Sequence, residues 1–351
     1  MKALVINTVP FIRDGISSLV MDYYRTLKDR VDFDFVVNTE IVEEYKNEML
    51  INKSEIYFIK SRKQAPIKYF FFLKKILKTK NYDIIHIHGN SALMSLELLA
   101  IKEKWKIIAH GHNVSTDYPL LNKISKPYFK KNYGVGIVPS AETGEFLFEN
   151  KKYHIIPNGV DLKKYAFDAK ARQAVRGSLG IREQKVILCV GNLNEQKYQE
   201  LIIQILPKLR EKDKYIVLLI GEGTKKETLL QLADEKNVKN YVKFLGSIAD
   251  VKNYYSAADV FVLPTHFESF SIVLVEAEVN GLPCITSNCV PRIVKQRENF
   301  HFVANHDLDQ WIKLILKAKR THLNEDLSIF DIEIICESLL KIYQDVSSKL
   351  G

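Results

Sequence analysis

The chain has 351 residues, of which 46% are hydrophobic and 11% aromatic, and a formal net charge of +9. That is the composition of a globular protein, and the length exceeds the roughly 250 residues at which single cores stop growing, so two domains are expected. No run approaches the ~18 to 20 apolar residues of a bilayer span, and MKALVINTVPF reads directly into a strand without a signal-peptide cleavage site, so the expected location is cytoplasmic. The four cysteines, Cys189, Cys284, Cys289 and Cys336, have neither C-x-x-C nor zinc-ligand spacing, which suggests a reducing compartment and no structural metal.

Along the first half, short apolar runs alternate with amphipathic helical segments: ALVINTV, GISSLVMDYYRTLKD, FDFVVN, YFFFLKKILK, YDIIHIHG, SALMSLELLAIKE, KIIAHGH and YGVGIVPS. Buried strands separated by helices imply a doubly wound parallel α/β sheet. The first loop carries Asp14, a candidate cap, and Gly15, where backbone can approach a ligand at a helix start. It lacks the G-x-G-x-x-G fingerprint, and no P-loop motif occurs, which argues against a dehydrogenase or an ATPase.

Two basic stretches, residues 60–80 and 122–133, interleave lysines with aromatic and aliphatic side chains. They read either as solvated helices or as an amphipathic surface for peripheral contact with an anionic membrane. Nucleic acid is a weaker partner, because no recognition motif accompanies the charge. Four of the nine histidines fall at two successive strand ends, His86 with His88 and His110 with His112. His112 lies furthest past its strand and is the best placed to meet a substrate hydroxyl.

Pro157, Asn158 and Gly159 mark an interdomain turn, giving domains over 1–160 and 161–329, with the 330–351 helix expected to pack on the first. The strand and helix pattern restarts after residue 184. Lys197 follows KVILCVGNL near a helix start, where a lysine opposes the dipole unless an anion is bound. In LPTHFESFSIVLVEAEVNGLPCITSN, a strand leads through Glu268 to a helix that Ser269 or Ser271 can cap, with Gly281 at its end. Glu276 lies about 9 Å along that helix from Phe270 at ~1.5 Å per residue, while Glu278, two positions on, is expected to face solvent.

The segments IIPNGVDLKKY, VGNLNEQK, LLIGEGTKKETL and VKFLGSIADVKNYYSAADVFVLPTHFESFSIVLVEAEVNGLPCITS, with the E-x7-E pair Glu268 and Glu276, resemble glycosyltransferase family 4, a retaining group with the GT-B fold. The likeness covers nearly the whole chain and is strongest to bacterial capsular and exopolysaccharide transferases. It implies two Rossmann-like domains facing across a cleft, a nucleotide-sugar donor on the C-terminal domain and a glycan or lipid-linked acceptor on the N-terminal one. By this likeness Glu276 holds ribose hydroxyls, and Glu268 works beside the backbone of Ser269, Phe270, Ser271 and Ile272. Lys197 binds the diphosphate, His112 contacts the donor sugar, and the Gly15 loop closes over the phosphates. No metal cofactor is implied, since lysine and helix-start amides replace the cation.

Two positions depart from the family pattern. Asn192 stands where many relatives have a second diphosphate-binding arginine, with Arg13 as a substitute, and Ser271 stands where glycine is frequent. A nucleotide-sugar epimerase of the same architecture and a non-catalytic partner subunit are the alternative readings.

Overall fold

The computed structural model describes residues 1–320 and 326–348, which form two compact units. The first joins residues 1–159 to the stretch from Ile332 onward, and the second is Val160–Asp331. At the junction the backbone N–H of Val160 donates to the carbonyl of Phe330 at 2.8 Å.

In the first unit the strands are β1 (Lys2–Asn7), β2 (Asp32–Asn38), β3 (Ile56–Ile59), β4 (Ile84–Gly89), β5 (Ile107–Gly111), β6 (Val135–Val138) and β7 (His154–Ile155). Between them run α1 (Gly15–Leu27), α2 (Glu43–Ile51), α3 (Pro66–Thr79), α4 (Ser95–Ala100), α5 (Pro119–Phe129) and α6 (Ala141–Leu147). The second unit holds α7 (Leu162–Tyr165), α8 (Ala169–Ser178), β8 (Lys185–Val190), α9 (Glu200–Arg210), β9 (Tyr215–Ile220), α10 (Lys226–Glu235) and β10 (Val242–Phe244). It continues with α11 (Lys252–Ala257), β11 (Val260–Leu263), α12 (Ile272–Val279), β12 (Cys284–Ser287), β13 (Phe300–Val303) and α13 (Leu308–Lys317). The last helix, α14 (Ile332–Ser347), belongs to the first unit.

Every paired strand is parallel, in the orders β3-β2-β1-β4-β5-β6-β7 and β10-β9-β8-β11-β12-β13. Helices cover both faces, so the strands read as nearly unbroken apolar runs, and β9 (YIVLLI) is buried throughout. In each unit the winding reverses at its first strand. The reversal lies between β1 and β4 in one sheet and between β8 and β11 in the other, which are the places where ligands of such sheets bind.

The helices hold to the sheets through apolar stripes. On α14, Ile335, Cys336, Leu339, Tyr343 and Val346 recur at three- and four-residue spacing and pack against α1 and β4. Each large apolar side chain so buried contributes about 1.5–3 kcal/mol before the entropy of ordering is subtracted. The opposite face of the first sheet is covered by α3, α4 and α5.

Candidate active site

The second unit carries its most chemically loaded loops at its switch point. The loop after β8 contains Gln196 and Lys197, and the loop after β11 contains Thr265 to Ser271. Three hydrogen bonds sew them together: His266 N–H to the Gln196 carbonyl at 2.7 Å, Thr265 Oγ1 to the same carbonyl at 3.0 Å, and Gln196 Nε2 to the Phe267 carbonyl at 2.9 Å. Across this seam Lys197 Nζ forms an ion pair with Glu268. Lys197 lies in the turn before α9, near the helix start as its position in the sequence suggested, with its N–H on Asn194 Oδ1 at 3.1 Å. Tyr198, next to it, adopts the left-handed backbone (φ 47°) and stacks on His266 with ring centroids 4.5 Å apart. Such backbone costs on the order of 1–3 kcal/mol for a residue with a Cβ, and this kind of strain is concentrated at ligand sites. Asn192 is exposed, and its carbonyl accepts from Gln199 Nε2 at 3.0 Å. Gly221 is required here, because a Cβ on it would stand 2.1 Å from the Gly191 carbonyl oxygen.

Helix α12 begins at Ile272. Ser271 occupies the cap position in the left-handed region (φ 79°), with no side-chain capping bond, so neither serine caps the helix as expected. Its buried hydroxyl has no partner among the described residues. The Phe270 ring is fully buried against Phe330. Glu276 is 7% exposed and accepts a 2.6 Å bond from the hydroxyl of Tyr255, a residue the sequence reading missed because it lies 21 positions away on α11. At the far end Gly281 (φ 79°) closes a Schellman turn, with Leu282 N–H on the Ala277 carbonyl at 3.0 Å.

Glu278 does not face solvent. It is fully buried and accepts 3.1 Å bonds from the backbone N–H groups of Gln296 and Arg297. Burial pushes its carboxyl up to about 7. A wheel drawn on α12 cannot reveal this, because the β12 to β13 connection folds over that side of the helix.

Cys289 is exposed beside the same loops, with its thiol 3.3 Å from the Thr265 carbonyl.

The first unit carries the remaining predicted residues. Gly15 opens α1, whose cap Asp14 accepts from Ser17 N–H at 2.8 Å, and a Cβ on Gly15 would meet nothing within 4 Å. Arg13 pairs with Glu44 at 2.8 Å within the same unit. His86, His88, His110 and His112 form one buried block. His88 Nδ1 lies 2.9 Å from His112 Nε2, His86 Nε2 lies 3.2 Å from His110 Nδ1, and Tyr343 Oη reaches His86 Nδ1 at 2.7 Å. Burial favours the neutral form of all four rings, pushing His86 and His112 down to about 3 and holding His88 and His110 well below the ordinary histidine value.

The basic stretches lie on α3 and α5, which both pack on α4. Ile67, Phe71, Leu120 and Ile124 are 72%, 61%, 69% and 67% exposed, among the exposed lysines Lys63, Lys68, Lys75, Lys78 and Lys123. No helix among the described residues is long and apolar enough to cross a membrane.

These features agree with what the chain resembles. Residues 13–164 match the family model for Glycosyltransferase Family 4, and residues 171–327 that for Glycosyl transferases group 1. The chain belongs to the family 4 glycosyltransferases. This family 4 chain is 24% identical to the putative glycosyltransferase EpsF of Bacillus subtilis, over 96% of its own length and 95% of the relative's. It is also 24% identical, over 70% of its length and 68% of the relative's, to the Escherichia coli UDP-Gal:alpha-D-GlcNAc-diphosphoundecaprenol alpha-1,3-galactosyltransferase. The crystal structure of Anabaena HepE with UDP and glucose superposes with a TM-score of 0.75 at 17% identity, covering 100% of this chain and 99% of the other. The fold is therefore GT-B, with two Rossmann-like domains.

Proposed function

We propose that this family 4 protein is a retaining glycosyltransferase that moves a sugar from a nucleoside diphosphate, UDP in the first instance, to a lipid-linked or polysaccharide acceptor in cell-surface glycan synthesis. The observation that carries the proposal is the pairing of Lys197 with Glu268 across the switch point, one loop from the α12 start and Glu276. A lysine already held there by a carboxylate is placed to take a diphosphate instead, beside helix-start amides that favour anions. The carboxylate of Glu276, oriented by Tyr255, suits the two hydroxyls of a ribose. The uracil assignment draws on the donor named for the Escherichia coli relative.

In the proposed reaction the acceptor oxygen bonds to the anomeric carbon on the face from which the diphosphate departs. The bond from that carbon to the phosphate oxygen breaks, and the acceptor proton passes to the leaving phosphate. Lys197 and the amides around Ser269, Phe270, Ser271 and Ile272 stabilise the charge on the leaving group, a role that elsewhere a cation fills, so transfer needs no added metal. Glu268 orients the sugar, and His112 meets one of its hydroxyls. The exposed apolar and lysine-rich face of α3 and α5 supports peripheral contact with the anionic inner face of the cell membrane, where a lipid-linked acceptor is found.

The test is a thermal-shift screen of nucleoside diphosphates and nucleotide sugars, followed by product analysis with EDTA present. A ligand that binds only the folded chain raises its melting temperature. UDP and a UDP-sugar are expected to do so and transfer to keep the anomeric configuration. No shift with any nucleotide, or an inverted product, would refute the reading.

A further inference from the structure

The four strand-end histidines are arranged as two layers. His86 and His110 have ring planes 5° apart and centroids separated by 5.3 Å; with nitrogens at 3.2 Å, they lie edge to edge. His88 and His112 repeat this at 15°, 5.1 Å and 2.9 Å. The layers stack, with centroids 4.0 Å apart for His86 over His88 and 4.3 Å for His110 over His112. Stacked rings hold their lone pairs side by side instead of aiming them at one point. Nitrogens of His86, His88 and His110 do come within 4.8 Å of one another, but the block is built for hydrogen bonds between imidazoles, not for a shared ion.

A neutral imidazole has one N–H and one lone pair, so each bond fixes the next. In the first layer the phenol of Tyr343 shares a hydrogen bond with His86 Nδ1. If the phenol donates, His86 carries its proton on Nε2 and donates to His110 Nδ1; if the phenol accepts, both bonds reverse, and in either case His110 Nε2 is a buried atom without a partner among the described residues. In the second layer the bond joins His88 Nδ1 to His112 Nε2. An isolated neutral histidine side chain prefers its proton on Nε2. Both rings keep that form only when His112 donates and His88 accepts; the reverse direction puts both in the disfavoured form.

We infer that His88 is a positioning residue: its Nδ1 accepts from the Nε2–H of His112 and leaves His112 Nδ1 as a bare acceptor for a hydroxyl of the sugar substrate. The inference rests on the reading that His112 meets substrate, and it assigns the nitrogen and the hydrogen-bond direction used there. His88 is 1% exposed and acts only through its neighbour.

The test is nitrogen-15 NMR of the full chain labelled at histidine, with His112 assigned by the signals lost in His112→Gln. In the wild type His112 is expected to show a protonated Nε2 and a bare Nδ1. His88→Phe keeps a flat ring in the stack and removes the acceptor, so the His112 signals should move toward a mixture of both forms. His88→Asn returns an amide oxygen near the lost Nδ1 and should restore the wild-type pattern. In donor-sugar kinetics, His88→Phe should lower kcat/KM about tenfold, as expected for one hydrogen bond, with His88→Asn recovering most of it. A protonated Nδ1 on wild-type His112, or a His112 pattern unchanged in His88→Phe, would overturn the inference. Because the spectrum is read without substrate, a failed donor screen would sink the transferase reading and leave the tautomer result standing.

Discussion

Lys197 and Glu268 stand 71 positions apart in the chain and meet as an ion pair between the two loops at the switch point of the second unit. Under the proposed function the pair separates two roles that sequence alone runs together, a charge to stabilise a leaving diphosphate and a carboxylate to orient a sugar. Lys197→Ala is expected to lower kcat/KM by about 100-fold or more, in the range for losing a preorganised group at developing charge. Glu268→Gln keeps a hydrogen-bond acceptor and releases the lysine, so it should stay within about tenfold of wild type. Steady-state kinetics on both variants decide the point: equal losses would contradict the division of labour.

Glu278 gives the second unit a stability that falls as pH rises. Its folded pKa, about 7, lies above the ordinary carboxylate value, so between about pH 4.5 and 7 the folded state binds a proton that the unfolded chain has released. The contribution is fully present below that window and is lost as pH climbs through 7. Glu278→Gln keeps an acceptor for the Gln296 and Arg297 amides without the charge. Above pH 7 this variant should melt higher than wild type, and the difference should shrink below pH 5; a lower melting temperature at pH 8 would refute the account.

The histidine block acts in the opposite direction on the first unit. The folded pKa values of His86 and His112, about 3, lie below the ordinary 6.5, so below pH 6.5 the unfolded chain binds protons that the folded block excludes. Stability is full above 6.5 and lost as pH falls toward 3. Amide hydrogen exchange in β4 and β5 should accelerate steeply between pH 6 and 5, after correction for intrinsic rates, and His112→Asn should flatten that slope.

The apolar side chains on α3 and α5 should matter for vesicles and not for the fold. Replacing Ile67, Phe71, Leu120 and Ile124 together by serine should cut co-sedimentation with anionic vesicles about tenfold or more, because each loses apolar area that enters the interface. The melting temperature should hardly change, since surface positions shift stability by about 0.5 kcal/mol or less. Added salt should weaken wild-type binding by screening the lysines. Unchanged sedimentation would point to another surface.

The strands were legible because a sheet covered on both faces demands long apolar runs, and β1 and β9 advertise themselves in ALVIN and YIVLLI. The E-x7-E spacing was legible for a similar reason, since Glu268 and Glu276 are tied by one turn and one helix. What remained hidden was set by distant chain. Glu278 was assigned to solvent from the helix alone, but IVLVEAEV is apolar nearly all round and has no obvious outer face. The serine cap failed because Ser271 takes a left-handed backbone that turns its side chain away from a capping bond. Tyr255 behind Glu276, and Glu268 against Lys197, are pairings no local pattern encodes. The histidines were visible as a cluster, but their pairing in layers depends on the β4 to β5 register, which sets His88 opposite His110.

Helix α14 follows the second unit in the chain and belongs to the first. On a ribosome, where domains generally fold in order of emergence, the second unit can therefore finish before the first. Until residues 332–347 emerge, β4 and α1 lack their apolar cover and His86 lacks the phenol of Tyr343. A nascent chain halted near residue 330 would hold a completed second unit tethered to an open sheet, the state in which a chaperone or a protease would first encounter it.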